Sequence, residues 1–387
     1  MMKQIIEKIS VLSLSLMLVS TFAVSPALPQ MVDHFGQQGY AASQVELLIT
    51  ITSLFIMVSL LANPLFVRFF SERSLIVLGL TLMALGGALP FLLPQYALVF
   101  LSRCLLGLGI GLINARAINI VGLFYQGKER IQMMGLRGSF EVLGSASLTI
   151  LVGWLSGFGW QAAFLAYLLA LVILFLFVIF VPKREMVAEE ASGEKPKLTK
   201  ELLKMGLGLA FLAFFVINVN TFITIRIPLL VTNQQLGTAV QASWILGGMQ
   251  LMGILSGALF GFLVGRLKDW LLPLAYVVFG LAILLVAFST NLWFLALGAM
   301  ISGFFYSVVL NIVFSRTTEK TPPALLTLVM TLVLMGCNIG GATASILPTF
   351  LENLNPTPTG AFGIYAIGCA LVSLALIVQQ LRRKKSA

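Results

Sequence analysis

Apolar runs of about 20 residues, the length that crosses a bilayer as an α-helix, recur along almost the whole of this 387-residue chain. Lipid offers backbone N–H and C=O groups no partner but each other, so such runs fold as helices that satisfy their own backbone. Hydrophobic residues make up 59% of the sequence and charged residues 10%, far from the roughly 45–50% and 25% of soluble domains. A membrane β-barrel would show short alternating segments instead. The chain is a polytopic helical membrane protein.

Placed on the apolar runs, helices are expected near 9–31, 43–66, 75–94, 97–124, 132–156, 161–181, 205–231, 241–265, 271–289, 291–314, 325–349 and 360–380. The fold class read from this is all-α integral membrane, with 12 transmembrane helices in two six-helix bundles. The bundles occupy 1–181 and 205–387, the second ending in the basic tail Arg382-Arg383-Lys384-Lys385. A polar cytosolic linker over 182–204 joins them, rich in charge and in Ser, Gly and Pro. The first 30 residues have the outline of a signal peptide, but removing them would leave an odd number of spans, so they are read as the first helix.

The net charge of +10 does not point to nucleic acid. All but three of the 24 Lys and Arg fall in loops or helix ends on one side, whereas the other side carries Asp33, Glu46 and Glu352. That asymmetry is the positive-inside bias. It places both termini in the cytosol and the chain, multi-pass, in the cytoplasmic membrane. Cys104, Cys337 and Cys369 lie in apolar runs at unrelated spacings, and His34 is the only histidine. No metal site or cofactor is expected.

Three charges stand deep within apolar helices: Arg103, Arg116 and Glu141. An ionised group at mid-bilayer costs a few kcal/mol even on lenient scales, so it faces a partner, a bundle interior or a water path. Glu141 is the one acid placed deep in a span, which makes it the first candidate for a proton site. At 100° per residue, Arg103, Gly107, Ile110 and Asn114 share a face while Arg116 points roughly 140° away. Arg116 and Glu141 lie at similar depths in neighbouring helices, so a pair between them is expected. Pro26 and Pro29 should bend the first helix, and Gly107, Gly109 and Gly111 make the fourth thin on one side. The eleventh carries Gly336, Asn338, Gly340, Gly341 and Pro348.

Two loops repeat at an offset of 198 residues. Asn63-Pro64-Leu65-Phe66-Val67-Arg68-Phe69-Phe70-Ser71-Glu72-Arg73 follows the second helix, and Gly261-Phe262-Leu263-Val264-Gly265-Arg266-Leu267-Lys268-Asp269 follows the eighth. Over its full length the sequence resembles the major facilitator superfamily. Leu65, Arg68 and Arg73 fit the family's loop motif, with Asn63 and Phe70 in place of glycines and Val67 in place of the aspartate. Gly261, Leu263 and Arg266 fit in the second copy, where Gly265 replaces the aspartate. The resemblance implies a conformational role for these residues, Asn63 included. Leu101-Ser102-Arg103-Cys104-Leu105-Leu106-Gly107-Leu108-Gly109 is similar to the fourth-helix motif, whose arginine is linked to proton transfer. Gly159-Trp160-Gln161-Ala162-Ala163-Phe164 is similar to the start of the sixth helix. Of the fifth-helix antiporter motif only Gly153 fits, although the layout otherwise most resembles the drug/proton antiporter branch.

The resemblance implies alternating access around a central cavity lined by the seventh helix and its equivalents. Asn114, Asn218, Asn220, Arg226, Gln250, Tyr306, Asn311 and Asn338 are the candidate cavity residues, and Glu141, Arg103 and Arg116 the candidate proton-coupling residues. The leading reading is a monomeric secondary transporter in the lipid bilayer, coupling protons to efflux of a drug or amphipathic small molecule. Three intramembrane arginines against one glutamate keep open a second reading, a transporter or exchanger of a small organic anion. A transporter-like sensor or scaffold is a third class, with little soluble chain to reach a partner. The chain lacks a Walker-type phosphate loop, and its single histidine and single deep carboxylate are too few for catalysis. It is not read as an enzyme.

Overall fold

Proline decides where two of the expected helices lose continuity. A proline ring lacks an N–H and clashes with the carbonyl four residues earlier. Pro26 and Pro29 therefore disfavour a regular helix through Phe22–Ser25, and Pro348 does the same at Ala344. In the computed structural model, which describes residues 2–182, 199–354, 357 and 359–386, both regions break. The first span consists of α1 (Met2–Ser13), three short 3-10 turns between Leu14 and Ala27, and α2 (Leu28–Gly36), with a bend of 51°. The eleventh consists of α12 (Pro323–Ala342) and α13 (Ile346–Leu354), bent by 55°.

The remaining elements are α3 (Ala42–Phe69), α4 (Glu72–Leu92), α5 (Tyr96–Phe124), α6 (Gly127–Leu155), α7 (Leu169–Phe180), α8 (Lys200–Asn233), α9 (Ala239–Leu267), α10 (Leu271–Ala287), α11 (Leu292–Lys320) and α14 (Gly360–Ser386). The expected sixth helix starts with seven residues of 3-10 helix, Ala162–Leu168, before α7. Of the linker read over 182–204, residues 183–198 lie outside the described residues. Lys200–Lys204 already form the start of α8, where the Thr199 hydroxyl caps the helix by accepting the Leu202 N–H at 3.3 Å.

Among the described residues, nine stretches are long and apolar enough to cross a membrane, or eleven when each bent pair is taken as one span. One of the nine, Ala239–Ala287, is 49 residues long and contains both α9 and α10. Counting its two helices separately brings the number to the expected twelve. The outward faces carry bare Leu, Phe and Trp side chains, among them Phe69, Phe211 and Trp293. Apolar surface of that extent suits lipid rather than water.

By internal contacts the chain divides into two units, Met1–Gly193 with Ala239–Trp244, and Glu194–Thr238 with Ile245–Ala387. In the first, glycines bring α5 against two neighbours. A Cβ on Gly111 would lie 2.8 Å from the Ile56 carbonyl of α3, and one on Gly109 would lie 2.7 Å from the Gly79 carbonyl of α4. Gly107 also faces α3, at Thr52. The fourth expected helix is thus thin on two sides rather than one, because Gly107 and Gly111 are one turn apart while Gly109 points the other way. In the second unit, Gly298 sets α11 against α10, and Gly336 and Gly340 set α12 against α8.

Close approach at Gly86 gives a stability test. Its added Cβ would sit 2.7 Å from the Leu106 nitrogen and 2.8 Å from the Ser102 carbonyl, both backbone atoms of α5. Gly86→Leu is expected to cost about 1–3 kcal/mol, the usual range for overpacking, read as a lower unfolding temperature in detergent. Gly135→Ala, inside α6 with nothing within 4 Å of the new methyl, should not lower that temperature and is expected to raise it, by the roughly 0.5–1 kcal/mol that alanine gains over glycine within a helix.

Candidate functional site

The broken first span exposes carbonyls that a regular helix would have used, and buried side chains take them up. Serine hydroxyls bond back within the segment, Ser20 to the Met17 carbonyl and Ser25 to the Phe22 carbonyl, each at 2.7 Å. From α5, Arg103 donates to the Thr21 carbonyl at 2.7 Å, to the Leu48 carbonyl of α3 at 3.0 Å and to the Tyr167 hydroxyl at 3.1 Å. Tyr167 in turn donates to the Ser20 carbonyl at 2.9 Å. Arg103 is 0% exposed and lies over the rings of Tyr167 and Phe164 at 5.4 and 6.0 Å. The partners it shows are neutral, so its visible work is to fasten four segments together.

Arg116 departs from expectation. It meets Asn63 of α3 through NH1 and Glu72 of α4 through Nε, the latter at 3.1 Å, and not Glu141. Depth in the bundle rather than order along the chain selects its partner, because the start of α4 returns to the level of Arg116. Glu72 is also well placed in the first turn of α4, where a negative charge suits the helix dipole. Next to it, Arg73 donates to the Val178 and Val181 carbonyls at 2.7 and 2.6 Å, capping the carbonyl end of α7. Asn63 and Arg73 of the loop motif are therefore built into the first unit. Leu65, Arg68, Gly261 and Arg266 are exposed and Leu263 is half-buried.

Glu141 pairs with Arg137 one turn earlier on the same helix, at 3.1 Å, and its side chain is 27% exposed. This pair joins no two helices. Glu46, by contrast, is 1% exposed in the second turn of α3, a buried carboxylate that the sequence reading left among the acids of the outer side.

In the second unit Asn218 differs from the cavity role expected of it. It is buried, with its amide nitrogen donating to the Gly340 carbonyl and the Thr343 hydroxyl, both at 3.0 Å, and its oxygen accepting from Tyr365 at 2.6 Å. Both ends are thus spent on α12 and α14. Arg226 donates to Glu352 of α13 at 2.7 Å, which removes it from the sum of uncompensated arginines, as Glu72 removes Arg116. Asn114, Asn220, Gln250, Tyr306, Asn311 and Asn338 are half-buried, and Asn338 donates to the Leu334 carbonyl of its own helix at 2.9 Å.

Sequence reasoning passed over Glu72, Arg137, Tyr167, Glu352 and Tyr365. A signal for the tyrosines was present: Ala163-Phe164-Leu165-Ala166-Tyr167 returns as Ala361-Phe362-Gly363-Ile364-Tyr365, at the same 198-residue offset as the loop repeat.

The family model described as Major Facilitator Superfamily matches residues 11–237 and again 209–387. Among solved structures, the chain is similar to a peptide transporter, POT, in complex with sulfate, with a TM-score of 0.71 and 17% identity over 97% of this chain and 94% of that one. It is also similar to a mutant of the nucleoside transporter NupG, with a TM-score of 0.76 and 15% identity over 95% of this chain and 99% of that one. A search of curated proteins finds no match.

The two kinds of ion pair should respond differently to mutation. Glu72→Ala leaves the fully buried Arg116 without its carboxylate and is expected to cost about 3–5 kcal/mol, the usual penalty for breaking a buried pair. Glu141→Gln gives up only a pair within one helix, worth about 0.2–0.5 kcal/mol. Chemical or thermal unfolding of the purified variants would rank them, and equal losses would contradict this assignment.

Proposed function

The chain belongs to the Major Facilitator Superfamily, a family of membrane transporters, and from that premise we propose that it is a secondary active transporter coupling proton movement to export of a small amphipathic molecule. The two helical bundles, 1–181 and 205–387, would rock about a central site with 182–204 as their cytosolic linker. The basic bias of the loops supports the cytoplasmic membrane with both termini inside.

The observation that carries proton coupling is the Glu141–Arg137 pair. Arg103, Arg116–Glu72 and Arg226–Glu352 each join separate elements, and changing the charge of the two fully buried arginines, Arg103 and Arg116, would loosen the bundle. Glu141 stands in the apolar stretch Gln132–Phe158 and is paired within its own helix. Protonation there releases Arg137 without parting two helices, which suits a group that must titrate in every cycle. Asn114, Asn220, Gln250, Tyr306, Asn311 and Asn338, half-buried polar groups on apolar helices, are the substrate-contact residues of this proposal. An organic anion is the weaker reading, since Glu72 and Glu352 balance two of the three arginines on which it rested.

The test uses purified protein in liposomes with an imposed pH gradient and a dye reporting internal pH. The panel holds lipophilic cations, small carboxylates and, given the peptide and nucleoside transporters of similar fold, a dipeptide and a nucleoside. A compound that drives proton flux in the wild type, with Glu141→Gln keeping downhill transport and losing that flux, is the expected result. Equal proton flux in wild type and variant would remove Glu141 from the mechanism. Transport of a carboxylate with no proton flux would favour the anion reading.

A further inference from the structure

The tyrosine latches of the two units are copies of one device. Tyr167 donates to residue 20 and Tyr365 to residue 218, each across 147 positions, and both members of each pair are related by the 198-residue offset. The acceptors differ for a physical reason. Ser20 opens a 3-10 turn, where its carbonyl accepts from the Ala23 N–H and, at its second lone pair, from the Tyr167 hydroxyl. Around Asn218 helix α8 is intact and its carbonyls serve the helix, so a side-chain oxygen takes the role.

The same crossing is broken on opposite partners. In the first unit the broken span meets the continuous α6, with Ser145 donating to the Val19 carbonyl at 3.1 Å. In the second the continuous α8 meets the broken pair α12–α13, through Asn218 at Gly340 and Thr343. The first break is locked by a buried charge. Arg103 reaches Thr21 there with a fully buried guanidinium, and charge-assisted hydrogen bonds are roughly twice as strong as neutral ones. Position 301, where the offset places its counterpart, is Ile301. The α12–α13 break has neutral bonds at its hinge and, at the far end of α13, an ion pair whose Glu352 side chain is 41% exposed. Exposed pairs hold weakly.

We infer that α13 is a movable segment hinged at Thr343–Ser345, that Asn218 and Tyr365 are positioning residues setting its bend, and that the first-span break is its immobile counterpart. The inference rests on the transporter reading for its role in the cycle, but the hinge itself is testable without a substrate.

Hydrogen–deuterium exchange on the full chain in lipid nanodiscs provides the test. In the wild type, amides of α13 should exchange faster than those of α2. Tyr365→Phe removes one neutral bond and should speed α13 by roughly five- to tenfold, leaving α10 unchanged. Thr343→Val, which leaves the aromatic packing alone, should act in the same direction. Tyr167→Phe should change α2 by less than about twofold, because Arg103 still holds Thr21. Nitroxides at Phe350→Cys and Phe288→Cys, both exposed in the wild type, should report a second distance population in the Tyr365→Phe background. Equal exchange of α13 and α2 in the wild type would overturn the inference. So would acceleration of α10 and α14 as large as that of α13, since the tyrosine would then merely hold the unit together. Either result leaves the proton-flux assay, and the transporter reading it probes, untouched.

Discussion

A backbone carbonyl in lipid must be met by something the protein supplies. Nearly all of this chain meets the demand with regular helix. Where Pro26, Pro29 and Pro348 interrupt the pattern, side chains replace the missing bonds: Arg103, Tyr167 and Ser145 on the first span, Asn218 on the eleventh. Much of the polar chemistry inside the apolar helices follows from that one requirement. Arg103 is the clearest case, since its guanidinium fork reaches two carbonyls and a phenol at once, a geometry that a lysine ammonium on a flexible stem would not reproduce.

The charges then separate by what they connect. Arg116 with Glu72 and Asn63 fastens α5 to the α3–α4 turn, and Arg226 with Glu352 fastens α8 to α13. The Arg116–Glu72 tie resists a change of protonation, because neutralising Glu72 leaves a fully buried arginine without its carboxylate. Glu141 with Arg137 connects nothing beyond one helical turn. A cycle that repeatedly adds and removes a proton is best built on a pair of that kind, and a cycle that repeatedly bends is best built on the weaker of two homologous latches.

The sequence made the architecture legible because it is a one-dimensional property. Run length and hydropathy mark the spans, and Pro26, Pro29 and Pro348 accompany the two breaks, whereas Pro90 and Pro228 stay inside continuous helices. The 198-residue repeat was visible in the loops and, unread, in Ala-Phe-x-x-Tyr at 163–167 and 361–365. The family followed from the same stretches. Periodicity also gave the direction in which Arg116 points, away from Arg103.

Partners were decided only by tertiary structure. Azimuth and depth say where a side chain lies on its own helix, but not which helix stands opposite. Arg116 therefore looked suited to Glu141 in the next helix, and packing instead set it against Asn63 and Glu72. Asn218 looked like a polar group awaiting substrate until Gly340, Thr343 and Tyr365 closed around it. Sequence determined how many helices form, where they bend and which residues bring charge into the bilayer. The three-dimensional packing decided which of those charges tie separate elements together and which pair stays within one helix, because that depends on contacts between residues far apart in the chain.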